Sequence, residues 1–323
     1  MGGTDRPVLV LSRRDDLTAD LVIDELGRRG VPVARVDPAD FPESLTMSAH
    51  IHESRWNGPI VSSDGVSLDV QQVRSVYYRR PGLPTFPAGM SEAEREWATR
   101  EAIHGVYGVL GALDCLYVNH PARNYAAELK AQQLAVAVRC GLEVPATLVT
   151  NDPEDARRFV KDTQAVVKPL RGGAIVEHGR RKAAFTHMID VGDIDDSLRM
   201  TTHLLQEWVD KTHEVRVVVV GEQLFAAEIH PGSPAARVDF RADYASLAYR
   251  ATPVPTHVTA GIHALMDRLG LVFAALDFAI RGDGNWVFLG DVNPNGQWAW
   301  IEGHLPELRI TAALADVLQR GSA

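Results

Sequence analysis

Two apolar runs near the C-terminus, AALDFAI and WVFLGDV, each carry a carboxylate inside a strand-like pattern, and this constrains the 323-residue chain more than any other feature. An ionised side chain in such a strand must meet a cation or face a cleft. Asp277 is followed, fourteen residues on, by Asp291-Val292-Asn293-Pro294-Asn295-Gly296. Asp291 and Asn293 stand two apart and so share one face of a strand, where Asp277 on a neighbouring strand can join them. Two carboxylates and an amide oxygen form a hard-ligand set suited to Mg²⁺, which takes few protein groups and leaves room for phosphate oxygens. The same residue types also close strands and make turns, so the string alone leaves both uses open.

Other elements follow from periodicity. Val8 to Leu11 reads as a buried strand, Leu17, Leu21, Val22 and Leu26 recur at helical spacing up to Gly30, and Val31 to Val36 is extended: a βαβ opening. Alternation through 46–70 suggests a hairpin or edge strands, and VRSVYY a buried strand ending at Arg79, Arg80 and Pro81. Ser91 with Glu94 predicts a capping box for a helix to about Leu113, and Asn124 a second cap for a helix ending at Cys140 and Gly141. A strand at 146–149, a helix capped by Asp152 and the strand AVVK make a small α+β unit, and the basic, glycine-bearing stretch from Arg171 to Lys182 reads as a mobile hairpin or loop. From Leu204 the chain is strand-rich (LLQEWV, EVRVVVVG, QLFAAEIH), with a turn at Gly221 to Gln223, a helix at about 256–269 and another from about Pro306. The expected divisions are an N-terminal α/β domain at 1–118, a central α+β subdomain with the glycine-bearing loop at 119–203, and a C-terminal α+β subdomain with the metal site at 204–323.

Three further clusters carry chemistry. Lys168 ends a strand and precedes Gly172 and Gly173, a point charge for phosphate beside backbone that permits close approach, or else a surface lysine beside a turn. No P-loop pattern and no G-x-G-x-x-G after the first strand is present. Gln206-Glu207-Trp208-Val209 can offer backbone groups to a base edge, and Glu214 can reach sugar hydroxyls; an amphipathic strand with a charged outer face fits equally. Thirty-three basic against forty-two acidic residues give a net charge of −9, which disfavours nucleic acid and anionic membranes as partners. Two cysteines, Cys115 and Cys140, without ligand spacing and without a spanning segment or signal peptide, suggest the cytoplasm.

Taken together, Lys130, Lys168, a glycine loop, Gln206-Glu207-x-Val209, Glu214-x-Arg216, Asp277 and Asp291-x-Asn293 occur in an order that resembles the ATP-grasp superfamily across essentially the whole chain. VYYRRP at 76–81, NHPARNYAAELKAQQLAVAVRCGLEVPATLVT at 119–150, VVKPLRGG, QEWVDKTHEVRVVVVG, VDFRADY at 238–244 and FLGDVNPNGQWAWIE at 288–302 are similar to the graspetide or microviridin-type branch, whose members cyclise ribosomally made peptides. The resemblance implies an ATP-grasp fold of α/β and α+β parts with an N-terminal pre-ATP-grasp domain. It also implies ATP and Mg²⁺ as cofactors, a precursor peptide of leader and core as substrate, and a homodimer. On that pattern Lys130, Lys168, Gly172 and Gly173 attend the phosphates, and Gln206, Glu207, Trp208 and Val209 the adenine. Glu214 attends the ribose, and Asp277, Asp291 and Asn293 hold Mg²⁺. Arg216 and Arg241 would steer the reacting carboxylate, with Asp239 either as base or in a surface pair with Arg241, and His187, His213 and His230 as alternative bases. Arg79 and Arg80 could meet an acidic peptide segment or form structural ion pairs, while Trp298, Trp300 and Ile301 pack the C-terminal helix rather than stack on a ligand. Two departures stand out: the pattern has Glu where this chain has Asp291, and Gly290 adds a residue before it. Two other functions fit the same residues, a ligase adding a free amino acid to a protein tail or small metabolite, and a nucleotide-binding scaffold without turnover.

Overall fold

In the computed structural model the described residues are 6–172, 174–177, 180–183 and 185–322, the segments 174–177 and 180–183 by backbone alone. Three larger sheets organise them. The first is parallel, in the order Val33–Val36, Val8–Ser12, Ser75–Arg79, Leu116–Val118. Val8–Ser12 is buried at every position, as a central parallel strand covered on both faces must be. Asp16 caps the crossover helix Leu17–Arg28 by accepting from the Thr18 and Ala19 amides. Short strands between 45 and 69 form two small antiparallel patches, one of which packs Leu45, Ile60 and Leu68 with Leu9 and Leu11. The Ser91–Glu94 capping box opens Glu92–Leu110 as the spacing predicts. Asn124 is not a cap: it is buried inside the short helix Pro121–Ala127, which His120 caps, and Lys130–Arg139 follows as a separate helix. Pro121 at the first turn is the true start signal, and Asn124 one turn later only mimics it.

The second sheet is antiparallel, in the order Thr147–Thr150, His203–Glu207, Ala165–Lys168, His187–Ile189. Helix Pro153–Asp162, capped by Asp152, contributes Ala156 and Val160 to a small core with Leu198 and Leu205. The stretch expected from Arg171 to Lys182 holds the strand Ala174–Glu177 and most of its partner Arg180–Ala183, which ends one residue beyond it. The division expected at 203/204 is corrected here, because His203–Glu207 lies inside the second sheet and the boundary falls after Glu207. An apolar run such as LLQ does not reveal which sheet it joins.

The third sheet has five antiparallel strands in the order Ala248–Ala251, Gln223–His230, Lys211–Val220, Phe273–Arg281, Trp286–Asn293. Val215, Val217 and Val219 of the middle strand pack with Ile262 and Leu265 of helix Thr256–Leu269. Val218 and Val220, on the opposite face, share a core with Val8 and Val10 of the first sheet and with helix Ile310–Arg320. That helix is also tied by hydrogen bonds, its Leu318 O accepting from Ser75 Oγ at 2.8 Å and its Ala312 O from Arg29 Nη2 at 3.2 Å. Glu214 and Arg216 lie on the same face as Val218 by strand alternation, but beyond this cover, and line a cleft. No helix among the described residues is long and apolar enough to cross a membrane.

Candidate active site

The cleft lies between the second and third sheets. It encloses about 700 Å³ and continues into an adjoining space of about 460 Å³, the two sharing Arg80, Lys168, Thr186, Arg241, Asp291 and Asn293. Gln206, Glu207, Trp208, Val209 and Glu214 line the larger space, as do Arg216, Asp239 and Asp277. Lys130 and Gly172 line the smaller one. Gly173 lies outside the described residues.

Asp291 reaches the cleft through a break in strand register. Leu276 faces Val292 and Phe278 faces Phe288, so Leu289, Gly290 and Asp291 together stand against Asp277. Gly290 permits this bulge: its φ is +79°, and a Cβ there would come within 2.7 Å of Leu134 Cδ2. Lys130, at the start of its helix, donates from Nζ to Asp291 Oδ1, while Lys168 Nζ lies 3.8 Å from Oδ2 and donates to Leu289 O at 3.0 Å. Gln133 sets that helix in position from the same face one turn on. Its Nε2 donates to Val292 O and its Oε1 accepts from Val292 N, both at 3.0 Å. Burial alone would raise the Asp291 carboxyl, but the two lysines outweigh it and hold the pKa down to about 2. For buried Lys168 burial prevails over Asp291, and its pKa is lowered.

The other carboxylates are also paired. Arg216 and Asp277 are cross-strand neighbours joined side-on, Nε to Oδ1 at 2.8 Å and Nη2 to Oδ2 at 2.7 Å. The guanidinium of Arg216 lies over the rings of Phe240 and Trp300, 5.4 and 5.9 Å from their centroids. Lys211 Nζ donates to Glu214 Oε1, yet burial pushes the Glu214 pKa up. Arg241 grips Asp239 through Nε at 2.8 Å and Nη2 at 2.5 Å, and Asp239 Oδ2 accepts from Thr186 N at 3.1 Å. Burial raises the Asp239 carboxyl, and these donors more than reverse the effect, leaving it below its ordinary range. A carboxylate so satisfied is a poor proton acceptor, so the expected base role of Asp239 is corrected to that of holding Arg241 in orientation.

Several other expectations change. Glu207 N–H donates to Ala146 O at 2.8 Å and Trp208 N–H to Gln164 O at 2.7 Å, so the sheet uses both amides. The Val209 amide has no backbone partner among the described residues, and Trp208 offers its ring, with Lys211 Nζ 4.9 Å from the centroid. Gln206 Nε2 donates to Thr147 Oγ1 at 3.0 Å, linking strands. Arg79 is 1% exposed, bound to Asn295 O at 2.7 Å, Gly296 O at 3.2 Å, Gln297 Oε1 at 2.6 Å and, as an ion pair at 3.4 Å, Asp16. It braces the 293–297 loop and cannot receive a peptide. Arg80, at φ +46°, is exposed and lines both spaces. Trp298 and Ile301 are fully buried in the core of the C-terminal helix, whereas Trp300 lines the cleft. His187 is exposed and does not line the cleft, and His213 and His230 face away from it with Glu228. Asn119 is a further structural anchor that no motif marks: its Nδ2 donates to Phe273 O at 2.8 Å and Pro294 O at 3.0 Å, and its Oδ1 accepts from Val272 N and Phe273 N, each at 2.8 Å. Its one signal is a polar residue directly after the strand Leu116–Val118. Asp277, Asp291 and Asn293 line one space as three oxygen donors beside a cluster of ammonium and guanidinium groups, a set that fits a hard divalent cation with phosphate.

Residues 7–125 match the family model described as the MvdD pre-ATP grasp domain. No curated protein sequence matches the chain. Over 97% of its length the chain is similar to the Chryseobacterium gregarium RiPP-associated ATP-grasp ligase in complex with ADP and a leader and core peptide (TM-score 0.88, 24% identity, 96% of that chain covered). It is similar, also over 97%, to macrocyclase MdnC from Microcystis aeruginosa MRC bound with precursor peptide MdnA (0.84, 28%, 98%). Over 99% of both chains it is similar to the ATP-grasp ligase PsnB complexed with minimal precursor, Mg and ADP (0.76, 26%). The fold is therefore that of the ATP-grasp ligases with a pre-ATP-grasp domain.

Proposed function

We propose that the protein is an ADP-forming ATP-grasp ligase that closes rings in a ribosomally made precursor peptide. The observation that carries this reading is the cleft itself: Lys130 and Lys168 on Asp291, next to the Arg216–Asp277 pair, in a fold shared over nearly its whole length with peptide-bound ligases. Hydroxide is a poor leaving group, so a side-chain carboxylate of the peptide is first activated by the γ-phosphoryl group of ATP, releasing ADP. A Ser or Thr hydroxyl, or a Lys amine, then attacks the acyl carbon and phosphate leaves, so the peptide loses one water per ester or amide.

Both steps concentrate negative charge, which fixed cations offset. Lys130 and Lys168 meet the phosphates, Val209 N–H and the Trp208 ring the base, and Glu214 the sugar. Asp277, Asp291 and Asn293 would hold Mg²⁺, which would neutralise phosphate charge when bound. Arg241, oriented by Asp239, and Arg216 attract the substrate carboxylate, and exposed Arg80 at the rim attracts neighbouring acidic residues of the peptide. The parts contributed by residues 1–118, 119–207 and 208–323, assembled as a homodimer in the cytoplasm, complete this reading.

Incubation with ATP, Mg²⁺ and a precursor rich in Thr, Ser, Asp and Glu should give products lighter by whole water molecules in mass spectrometry. A mass gain equal to an amino acid would instead indicate ligation of a free amino acid, and no ADP with any substrate would indicate a scaffold without turnover. Lys168→Met and Asp277→Asn should each lower ADP release by ~100-fold or more with circular dichroism unchanged; undiminished turnover would remove these residues from the site.

A further inference from the structure

On the face of the third sheet opposite the cleft, three ligating side chains from two adjacent strands converge: His213 of Lys211–Val220, and Glu228 and His230 of Gln223–His230. One ligand atom from each lies within 4.8 Å of the others. His230 Nε2 is 2.7 Å from Glu228 Oε2, His213 Nε2 is 3.9 Å from Glu228 Oε1, and the imidazoles stack with centroids 4.6 Å apart. Ligand atoms held tetrahedrally at about 2.0–2.1 Å from one ion are about 3.3 Å from each other. The two spacings to Glu228 bracket that value.

His213 already presents the required lone pair. Thr212 Oγ1 donates to Ile280 O at 3.1 Å, which uses its single proton, so at 2.9 Å it accepts from His213 Nδ1–H. In that tautomer His213 Nε2 turns a lone pair toward a buried carboxylate, and two electron-rich atoms oppose each other. A cation between them removes the opposition, and an Nδ1–H bonded to a fixed oxygen is how proteins orient an imidazole toward a metal. Arg250 supplies positive charge from the far side, Nε and Nη2 reaching Glu228 Oε2 at 2.8 and 2.7 Å, on a side chain 70% exposed. Oε1 faces His213, while Arg250 gives the other oxygen the outer hydrogen bond that ligating carboxylates usually have. The His230 side chain is 41% exposed and can exchange its ring proton with water.

The geometry points to a transition-metal site at His213, Glu228 and His230 that takes Zn²⁺ with water as fourth ligand. Two imidazoles and a single carboxylate suit that ion better than Mg²⁺. The site lies where the middle strand shifts register between Lys211 and His213, one residue before Glu214 turns into the cleft. An ion there braces two strands and fixes the phase in which Lys211 and Glu214 are presented on the other face.

Calorimetric titration of the whole protein with Zn²⁺ in excess Mg²⁺, which occupies the hard-oxygen set, should show one tight equivalent and a raised melting temperature. Co²⁺ in its place should give the visible absorption of a four-coordinate ion. His213→Ala and His230→Ala should each lose the tight equivalent and the bands, whereas His263→Ala, outside the cluster, should retain both. Glu228→Gln preserves shape and so separates ligation from folding: Zn²⁺ affinity should fall ~10-fold or more with unchanged circular dichroism. A tight equivalent that survives in the His213→Ala/His230→Ala double variant, or none in the unmodified protein, overturns the assignment. The site is independent of the ligase reading, and either can fail with the other intact.

Discussion

Each of four carboxylates in the cleft already has a cation: Asp291 has Lys130 and Lys168, Asp277 has Arg216, Asp239 has Arg241, and Glu214 has Lys211. On the proposed function, ligand binding at such a site would be an exchange of partners, in which phosphate takes the lysines and a metal ion takes the oxygens they release. The Asp291 pairing carries a pH signature. A carboxyl whose pKa folding lowers stabilises the folded state fully above its unfolded value, and loses that contribution as pH falls through the folded value. For Asp291 the window runs from 3.8 down to about 2, and the contribution is on the order of 2 kcal/mol. Asp291→Asn should flatten the pH dependence of urea unfolding across that window; an unchanged slope would show that the lysines are not its partners. Gly290→Ala tests the bulge beside it. With φ at +79° and Leu134 in the way, the substitution should cost ~1–3 kcal/mol in urea unfolding and depress turnover by displacing Asp291. A variant of full stability and full activity would show that the bulge does not position that carboxylate.

The 292–297 segment owes its place to clamps on three other elements: Arg79 at the end of Ser75–Arg79, Asn119 after Leu116–Val118, and Gln133 on Lys130–Arg139. Asn119→Ala removes four hydrogen bonds, three of them buried, and should destabilise the protein by at least ~3 kcal/mol in denaturant titration. A loss below ~1 kcal/mol would mean that the freed backbone groups find other partners. How much of this was legible depends on distance along the chain. The Ser91–Glu94 box, the Asp152 cap and the strand-helix-strand opening rest on neighbours within a turn or two, and the sequence marks them directly. Arg79 and Arg80 are adjacent and alike in sequence, and only the tertiary environment makes one a buried brace and the other a rim residue. Register is equally silent, which is why the sequence does not show that the residues from Leu204 to Glu207 join the second sheet and why the bulge is visible only as an additional glycine. His213 is a different case, since alternation from Glu214 already puts it on the other face.

Across the whole molecule the sheets do not share cover equally. The first and third are joined by a core running from Val8 to Leu318, whereas the second rests on a much smaller cluster of Ala156, Val160, Ala165, Ile194, Leu198 and Leu205. Opening free energies should differ accordingly: amide exchange in 147–207 should be faster than in Val8–Ser12 and Lys211–Val220, and ADP with Mg²⁺ should slow it. Equal protection in all three sheets, with or without nucleotide, would count against a separately opening second lobe. The sequence named the right kind of molecule because its motifs are spread over all three parts; it could not show that helix Ile310–Arg320 belongs as much to the first sheet as to the third. That shared helix has a consequence in time. Ser75 and Leu318 are 243 positions apart yet hydrogen-bonded in the core, so this core cannot close until distant segments find each other, and folding dominated by such contacts runs on the ~ms–s scale or slower. During that interval Val8, Val10, Val218 and Val220 are without cover, and the competition between closing the molecule and sticking to another copy is decided by how soon the helix arrives.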